Sequence, residues 1–255
     1  MININTHIIP GIDEGIQTIE DSIELAEAAV REGISTIVAT PAYQEGINLY
    51  SKREILTQVE DLNKHLQKRQ INLTVLPGQI ISIYGDLLDD IKHNQILTIN
   101  KDTPYILLEL PKDHVPQYTS NLFFNLQMEG YIPIIAQPER NKQIQQNPNL
   151  LYKLIKHGAY AQLSAGSICG KYGKKISKLS HQFIEANLIH LIASDSRGNK
   201  RKFHMRTASN IINRKYGYAA GEILTENAQQ VIKGTPIISA PPEYMKRKKL
   251  LPLFN

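Results

Sequence analysis

Residues that commonly carry chemistry lie at the ends of short apolar runs in this 255-residue chain. His7, Glu109 and Asp195 each end or closely follow such a run. A carboxylate beside a buried strand needs a partner or a metal ion, because burying an unpaired charge is costly. Arg140 and Arg197 follow similar runs, and a guanidinium group matches phosphate or carboxylate oxygens. These residues predict an enzyme or an anion-binding site, whereas a structural histidine and surface ion pairs are the alternative.

The apolar runs themselves predict the strands that would position these side chains. They are short and rich in β-branched residues, which is typical of buried parallel strands. Capping-box patterns at Thr18 and Ser51 mark the starts of two of the intervening helices. The seven runs are Ile2–Ile4, Thr36–Thr40, Leu73–Leu76, Tyr105–Leu110, Ile132–Ala136, Ala159–Ser164 and Ile189–Ser194.

Strand–helix alternation over the whole chain predicts an α/β fold with a parallel sheet and outer helices. Seven units favour a closed or distorted barrel, and a doubly wound sheet of six or seven strands is the alternative. No linker divides the chain, so we expect one domain over residues 1–240 and a tail over residues 241–255. The basic run Lys246–Lys249 lies beside apolar residues, which indicates either a loosely packed tail or an anchor on anionic lipid or an acidic partner.

Composition excludes several classes of protein. Hydrophobic residues make up 42% of the chain, which is enough for a full core and rules out global disorder. The single cysteine, Cys169, rules out an internal disulfide and a cysteine-rich zinc site. No run approaches the ~18 apolar residues of a membrane-spanning helix, and the start lacks a signal-peptide pattern, so we expect a cytoplasmic protein. The net charge of +5 permits phosphate groups or a membrane surface as partners, and we expect no nucleic acid.

Ordered motifs cover nearly the whole chain. They are His7–Gly15, Ile37–Pro41, Leu76–Gln79, Ile83–Leu88, Leu108–Pro111, Asp113–Pro116, Pro138–Asn141, Ala165–Ser167, Gly173–Lys175 and Ala193–Asp195. With these motifs the chain resembles the PHP-type protein-tyrosine phosphatases of Gram-positive bacteria, the CpsB/YwqE kind, named for the polymerase and histidinol phosphatase superfamily. The resemblance implies a distorted (β/α)7 barrel and a hydrolase that uses three metal ions, usually manganese.

The metal-ligand positions implied by this resemblance are largely substituted. Four of nine keep a residue that can bind a metal, namely His7, Glu14, Glu109 and Asp195. The other five are Asn5, Ala42, Ile80, Gln137 and Arg197. Ala42 and Ile80 have no donor atom, and the fixed charge of Arg197 repels a cation. We therefore expect no cofactor, or at most one weakly bound divalent metal.

The anion-binding half of the implied site is kept. The candidate phosphate-binding residues are Arg140, Asn141, Arg197 and Arg201, of which Arg201 lies near a family arginine. Together they could hold a phosphate without a metal. The alternative is that Arg197 pairs with Asp195 or Glu109 and replaces the metal cross-links by salt bridges.

Loss of ligands on an intact scaffold predicts a pseudophosphatase that binds phosphotyrosine, or a tyrosine-kinase partner in polysaccharide synthesis, without hydrolysis. One alternative is an active manganese-dependent phosphatase with a reduced site around His7, Glu109 and Asp195. Another is a structural or regulatory subunit of an active relative. Self-association, as a homo- or hetero-oligomer, is implied by resemblance only, with contact candidates on the first helix: Glu20, Ser22, Ile23 and Glu24.

Overall fold

A computed structural model describes residues 1–13, 15–47, 50–197 and 203–245, except the side chain of Arg197. Short strands alternate with helices along these ranges. The strands are β1 (Ile2–His7), β2 (Thr36–Ala39), β3 (Ala42–Tyr43), β4 (Thr74–Pro77), β5 (Ile80–Ser82), β6 (Tyr105–Glu109), β7 (Ile132–Ala136), β8 (Tyr160–Ser164), β9 (Leu191–Ala193) and β10 (Ser196–Arg197). The helices are α1 (Ile19–Arg31), α2 (Lys52–Lys68), α3 (Leu87–Lys92), α4 (Thr119–Met128), α5 (Lys142–Gln146), α6 (Asn149–Lys156), α7 (Ala165–Ile168), α8 (Lys174–Glu185), α9 (Met205–Tyr216) and α10 (Tyr218–Lys233), with a 3₁₀ turn at Pro138–Arg140.

The strands pair in parallel and form two sheets, in the orders β10-β1-β2-β4 and β3-β5-β6-β7-β8-β9. Only two residues separate β2 from β3, and only two separate β4 from β5. Because β2 pairs with β4 and β3 pairs with β5, each couple acts as one bent strand that passes from the first sheet to the second. A side chain at Gly78 would bring its Cβ within 2.8 Å of Val38 Cγ1, so the second bend requires glycine.

A few separate hydrogen bonds, rather than a continuous ladder, join the end of β9 to β1 at a seam between the sheets. Asn3 Nδ2 donates to Ser194 Oγ at 2.7 Å, and Asn3 Oδ1 accepts the Ser194 N–H at 2.9 Å. The Asp195 N–H donates to the Asn5 carbonyl oxygen at 3.1 Å. The predicted α/β fold with parallel strands is confirmed. Within the described residues a closed seven-stranded barrel is not observed, because β9 ends at the seam and pairing to β1 resumes only at β10.

Alternation along the strands divides the apolar side chains into two clusters. Ile80 and Leu107 belong to a smaller cluster formed by strands of both sheets and by α10. Their neighbours Ile81 and Leu108 belong to the larger cluster beneath the outer helices. Consecutive strand residues point to opposite faces, so the smaller cluster fills the space between the sheets.

The helices begin where the sequence predicts their caps. Thr18 Oγ1 accepts the Asp21 N–H at 3.1 Å before α1. Ser51 and Glu54 form a reciprocal capping box before α2. These bonds satisfy N–H groups that have no partner inside the helix.

The first helix does not present all of its expected contact residues. Ser22 and Ile23 are buried, and Ser22 Oγ donates to the Ile8 carbonyl oxygen at 2.8 Å. The expectation that these two residues form a contact between subunits is therefore wrong. Glu20 and Glu24 are exposed on the same helix.

The first residues of the predicted tail pack against α6. Asn149 Nδ2 donates to the Met245 carbonyl oxygen at 3.1 Å, and Asn149 Oδ1 accepts the Met245 N–H at 2.9 Å. The ring of Tyr244 meets that of Tyr152 edge-on, with 5.4 Å between centroids. The basic run Lys246–Lys249 lies outside the described residues. Among the described helices, none is long and apolar enough to cross a membrane.

Candidate functional site

An open cleft lies at the carboxyl ends of the strands, where parallel α/β folds bind their ligands. We call it the main cleft. Glu109 at the end of β6 and Arg140 after β7, two of the predicted site residues, both line it. The lining residues used below are Asp13, Ala42, Tyr84, Glu109, Lys112 and Arg140.

Asp13 fixes the imidazole of His7, which is buried at the end of β1. His7 Nδ1 donates to Asp13 Oδ2. The N–H groups of Gly15 and Ala42 donate to the same carboxylate at 2.8 and 3.1 Å. Burial alone would raise the pKa of Asp13, but these hydrogen bonds hold the pKa below its usual value. The carboxylate is therefore ionised at neutral pH and keeps the His7 proton on Nδ1.

Glycine is required at position 15 beside this pair. A Cβ on Gly15 would lie 2.8 Å from Asp13 Oδ1 and 2.9 Å from His7 Cβ, closer than such atoms approach. The Gly15 N–H can therefore reach the carboxylate only because the residue has no side chain.

The other ring nitrogen of His7 points toward Asp195. His7 Nε2 is buried, lies 3.8 Å from Asp195 Oδ1 and has no hydrogen-bond partner among the described residues. Asp195 is fully buried, and Arg140 Nη1 donates to its Oδ2 at 3.2 Å. The arginine charge offsets the cost of burying the carboxylate. The sequence offers Arg197 as a partner of Asp195, and among the described side chains Arg140 forms an ion pair with this carboxylate.

Gln137 and Tyr172 join Asp195 in holding the Arg140 guanidinium in place. Gln137 Oε1 accepts a second hydrogen bond from Arg140 Nη1. The Arg140 guanidinium carbon lies 4.7 Å from the centre of the Tyr172 ring, a cation–π distance. Gly166 leaves room for that ring, because a Cβ there would come within 3.1 Å of it. Tyr172 is a site residue that the sequence did not reveal.

Two residues at the site hold the left-handed backbone conformation. Gln137 has φ of 49° and Asp195 has φ of 52°. For residues other than glycine this conformation costs roughly 1–2 kcal/mol, and such strain concentrates at functional sites. The strand ends therefore keep a costly conformation that aims both side chains at Arg140.

The other substituted ligand positions are built into the fold. Asn5 Oδ1 accepts from Thr40 Oγ1 at 3.0 Å, and Asn5 Nδ2 donates to Gln162 Oε1 at 3.2 Å. Ile80 is fully buried in the smaller apolar cluster, and Ala42 packs against that cluster. Ala42 still contributes its N–H to Asp13, as described above.

Asn141 and Glu139 support the turn after β7. Asn141 Nδ2 donates to the carbonyl oxygens of Pro111 and His114, each at 2.7 Å, and its Oδ1 caps α5. Contact of the Asn141 amide with a phosphate would require these bonds to break.

Burial raises the pKa of Glu139 to about 7, although Ser167 donates to its Oε1 at 2.6 Å.

The remaining predicted residues divide between the cleft and the part of the chain that is not described. Glu109 is half-buried in the wall of the main cleft, and Lys112 is exposed beside it. Glu14, Arg201 and the side chain of Arg197 lie outside the described residues. Their predicted roles in metal and phosphate binding stay predictions.

A cluster of several metal ions does not fit the described donors. No group of three or more His, Cys, Asp or Glu side chains among the described residues could hold a metal ion. Ala42 and Ile80 have no donor atom. The positive charge of Arg140, next to Asp195, repels a cation. A single ion fits better. His7 Nε2 faces Asp195 Oδ1 at 3.8 Å, and Asp13 behind the ring is the kind of partner that orients metal-binding histidines.

Comparison with known proteins identifies the family. Residues 1–233 match the model of the family for capsular polysaccharide synthesis, CpsB/CapC. The chain belongs to this family. It is 45% identical over 255 residues to the tyrosine-protein phosphatase YwqE of Bacillus subtilis, covering 100% of both chains. It is 29% identical over 241 residues to the tyrosine-protein phosphatase CpsB of Streptococcus agalactiae, covering 91% of this chain and 98% of that protein.

A solved structure supports the same assignment. It comes from work on YwqE of Bacillus subtilis and CpsB of Streptococcus pneumoniae, described as unique metal-dependent tyrosine phosphatases. It superposes with a TM-score of 0.94 at 45% identity, over 97% of this chain and 100% of that chain. This chain is therefore similar to a metal-dependent tyrosine phosphatase in both sequence and structure.

Proposed function

We propose that the chain is a phosphotyrosine-binding pseudophosphatase of polysaccharide synthesis with little or no hydrolytic activity. The observation that supports this most directly is that Ile80 and Ala42, at two of the implied ligand positions, have no donor atom and lie in or against the smaller apolar cluster. Hydrolysis by a metal-dependent phosphatase needs a cation that activates water and holds phosphate oxygens. Here the Arg140 guanidinium also neutralises Asp195, one of the carboxylates that would hold that cation. We propose that the scaffold derives from the distorted (β/α)7 barrel.

Phosphate recognition is proposed for the basic side of the main cleft. Lys112 is exposed there and Arg140 is half-buried, so both can reach a ligand in the cleft. Each charge-assisted bond contributes ~1.5–3 kcal/mol before ordering and desolvation are subtracted, which suggests micromolar to millimolar affinity. The proposed partner is a phosphotyrosine protein or tyrosine kinase of polysaccharide synthesis, met in the cytoplasm or at the membrane surface.

An active phosphatase with a reduced metal site is the second candidate. The buried Nε2 of His7, which has no hydrogen-bond partner among the described residues, favours it, because this nitrogen is oriented as a metal ligand would be. The phosphatase names of the relatives also favour it. His7 and Asp195 would hold the ion, with Glu109 in the adjacent wall, and the ion would supply Lewis-acid chemistry to the cleft.

Metal content together with hydrolysis separates the two candidates. The purified chain is dialysed, its manganese, iron and zinc are measured by elemental analysis, and p-nitrophenyl phosphate hydrolysis is followed with added manganese. The pseudophosphatase should hold less than one metal per chain and show the rate of buffer. Two or more bound metals, or robust turnover, would establish the active phosphatase instead.

Phosphotyrosine binding is tested by titration with matched phosphorylated and unphosphorylated peptides. We expect binding that depends on the phosphate, weakens with salt, and falls on Arg140→Ala and on Lys112→Ala. Arg214→Ala, which removes an exposed arginine on α9, is the control and should bind normally. Equal affinity for the two peptides, or none up to several millimolar, would refute phosphotyrosine recognition and leave a structural subunit.

A further inference from the structure

A second cleft beside the main cleft carries mostly positive charge. We call it the side cleft, and the lining residues used here are Tyr43, Tyr50, Lys52, Arg53, Lys101 and Asp102. Its charged lining residues, among those described, are three cations and one carboxylate. The described lining of the main cleft has three carboxylates and two cations. The two neighbouring clefts therefore differ in the sign of their charge.

Aromatic residues connect the two clefts. Tyr50 lines both of them. The ring of Tyr43, in the side cleft, lies 6.2 Å from that of Tyr84, in the main cleft. The strand β3 carries Ala42 into the main cleft and Tyr43 into the side cleft. A peptide advances about 3.3 Å per residue when extended, so residues close to a phosphotyrosine in the main cleft reach the side cleft.

The cations of the side cleft are available to a ligand. Lys52 Nζ donates to Asn94 Oδ1 at 2.7 Å, which fixes its direction without neutralising its charge. In the described part of the chain, Lys52, Arg53 and Lys101 form no ion pair. Glu54, the carboxylate next to Arg53 in sequence, is held at the helix cap by the Ser51 N–H at 2.7 Å.

The backbone around Lys101 is strained. Asn100 has φ of 52° and Lys101 has φ of 66°, two successive residues in the left-handed region. Glycine adopts this conformation without the steric cost that a lysine bears. Side chains kept at such a cost are more common at functional sites than elsewhere, so the position itself points to a use for the Lys101 ammonium group.

We propose that the side cleft binds the acidic flank of a peptide whose phosphotyrosine occupies the main cleft. The proposal rests on the proposed function of the main cleft and narrows its ligands to phosphotyrosine segments with acidic flanks. Glutamate or aspartate side chains meet Lys52, Arg53 and Lys101, while the peptide backbone crosses the rings of Tyr43 and Tyr50. Because the three cations are open to water, the contribution is moderate and depends on salt.

Four peptides test the proposal in a binding titration. Phosphotyrosine is flanked by glutamates in one peptide and by glutamines in another, and each also has an unphosphorylated form. We expect the glutamate phosphopeptide to bind about five- to tenfold tighter than the glutamine phosphopeptide at low salt. In the triple variant Lys52→Gln, Arg53→Gln, Lys101→Gln, this preference should disappear while the glutamine phosphopeptide binds as before. All three side chains reach solvent, so folding should persist, and circular dichroism checks it.

A control variant of equal charge removes cations elsewhere on the surface: Lys68→Gln, Arg69→Gln and Lys178→Gln. It should keep the preference. Phosphate-dependent binding without any preference for glutamate, or a preference that survives the Lys52 triple variant, overturns the side-cleft proposal and leaves the main-cleft function intact. Equal binding of the phosphorylated and unphosphorylated glutamate peptides, lost in the triple variant, supports the side cleft and refutes phosphotyrosine recognition. No binding of any peptide overturns both.

Discussion

Replacement of Arg140 by methionine should destabilise the fold through Asp195. Asp195 is completely buried, whereas the Arg140 side chain is 31% exposed. Removing one partner of a fully buried ion pair costs about 3–5 kcal/mol, because the remaining charge has no compensation. Access of water to Arg140 reduces this cost. We therefore expect a loss of about 2 kcal/mol in the free energy of unfolding, which includes the lost bond to Gln137.

A double-mutant cycle isolates the pair. Urea unfolding at neutral pH is measured for the unaltered protein, Arg140→Met, Asp195→Asn and the combination. The expected coupling energy is about 1–2 kcal/mol, since Asp195→Asn removes the charge that Arg140 balances. Arg214→Met, at an exposed position on α9, should change stability by less than about 0.5 kcal/mol. A coupling energy within experimental error of zero would show that Arg140 does not compensate the buried charge.

Manganese gives the same prediction a second test. An ion that binds only the folded state stabilises it by about 2.7 kcal/mol at a concentration one hundred times its dissociation constant. If Arg140 supplies the compensating charge, added manganese should leave the unfolding of the unaltered protein nearly unchanged. Strong stabilisation by micromolar manganese would refute this reasoning and favour a metal-dependent enzyme.

Three further predictions concern the site and the core. Gly15→Ala should cost about 1–3 kcal/mol, because the new Cβ would contact Asp13 and His7, whereas Gly85→Ala, where a Cβ meets nothing within 4 Å, serves as control. Burial lowers the pKa of His190 to about 4. Because the unfolded chain takes up the proton first, this group should reduce stability by about 3 kcal/mol between pH 7 and pH 4, measured as the difference between the unaltered protein and His190→Gln. Manganese-dependent hydrolysis should return only when the substituted ligands are restored together, since ligands of one cluster act as a unit. The five restoring substitutions are Asn5→His, Ala42→His, Ile80→Glu, Gln137→His and Arg197→His.

Each of these expectations can fail in a defined way. Equal stability of the Gly15→Ala and Gly85→Ala variants would mean that His7 and Asp13 can move enough to accommodate a Cβ at position 15. Parallel pH profiles for the unaltered protein and His190→Gln would show that His190 contributes no proton linkage. Full activity after restoring one ligand alone would show that the remaining site was already nearly complete.

Local pattern predicted most of the fold. Each of the seven apolar runs overlaps a strand, and the caps at Thr18 and Ser51 begin α1 and α2. The additional strands β3, β5 and β10 have two or three residues each, too few for a periodic signal. They exist because a neighbouring strand offers pairing partners after a bend, which is information that the local sequence does not carry. The hydrogen bonds between Asn3 and Ser194 at the seam are likewise invisible to local pattern.

The site was predictable in its location and less so in its contacts. His7, Glu109 and Asp195 lie at strand ends, and the sequence indicates this directly. The pairing of Arg140 with Asp195 joins residues 55 positions apart, which spacing alone does not indicate. Pairing of Arg197 with Asp195 or Glu109 stays a prediction, because the Arg197 side chain lies outside the described residues. Asp13 follows the first apolar run, as the sequence indicates, but its hydrogen bond to His7 is not visible in the sequence. Tyr172 gave no such signal.

The seam between β9 and β1 bears on the order in which the molecule folds. Its hydrogen bonds join residues 191 positions apart. Closing a chain segment of that length costs about 4–5 kcal/mol of entropy, more than pairing neighbouring strands. The two sheets should therefore assemble first and meet at Asn3 late in folding. Until they meet, the edges of β1 and β9 are open to other chains, and closure of the seam covers both edges.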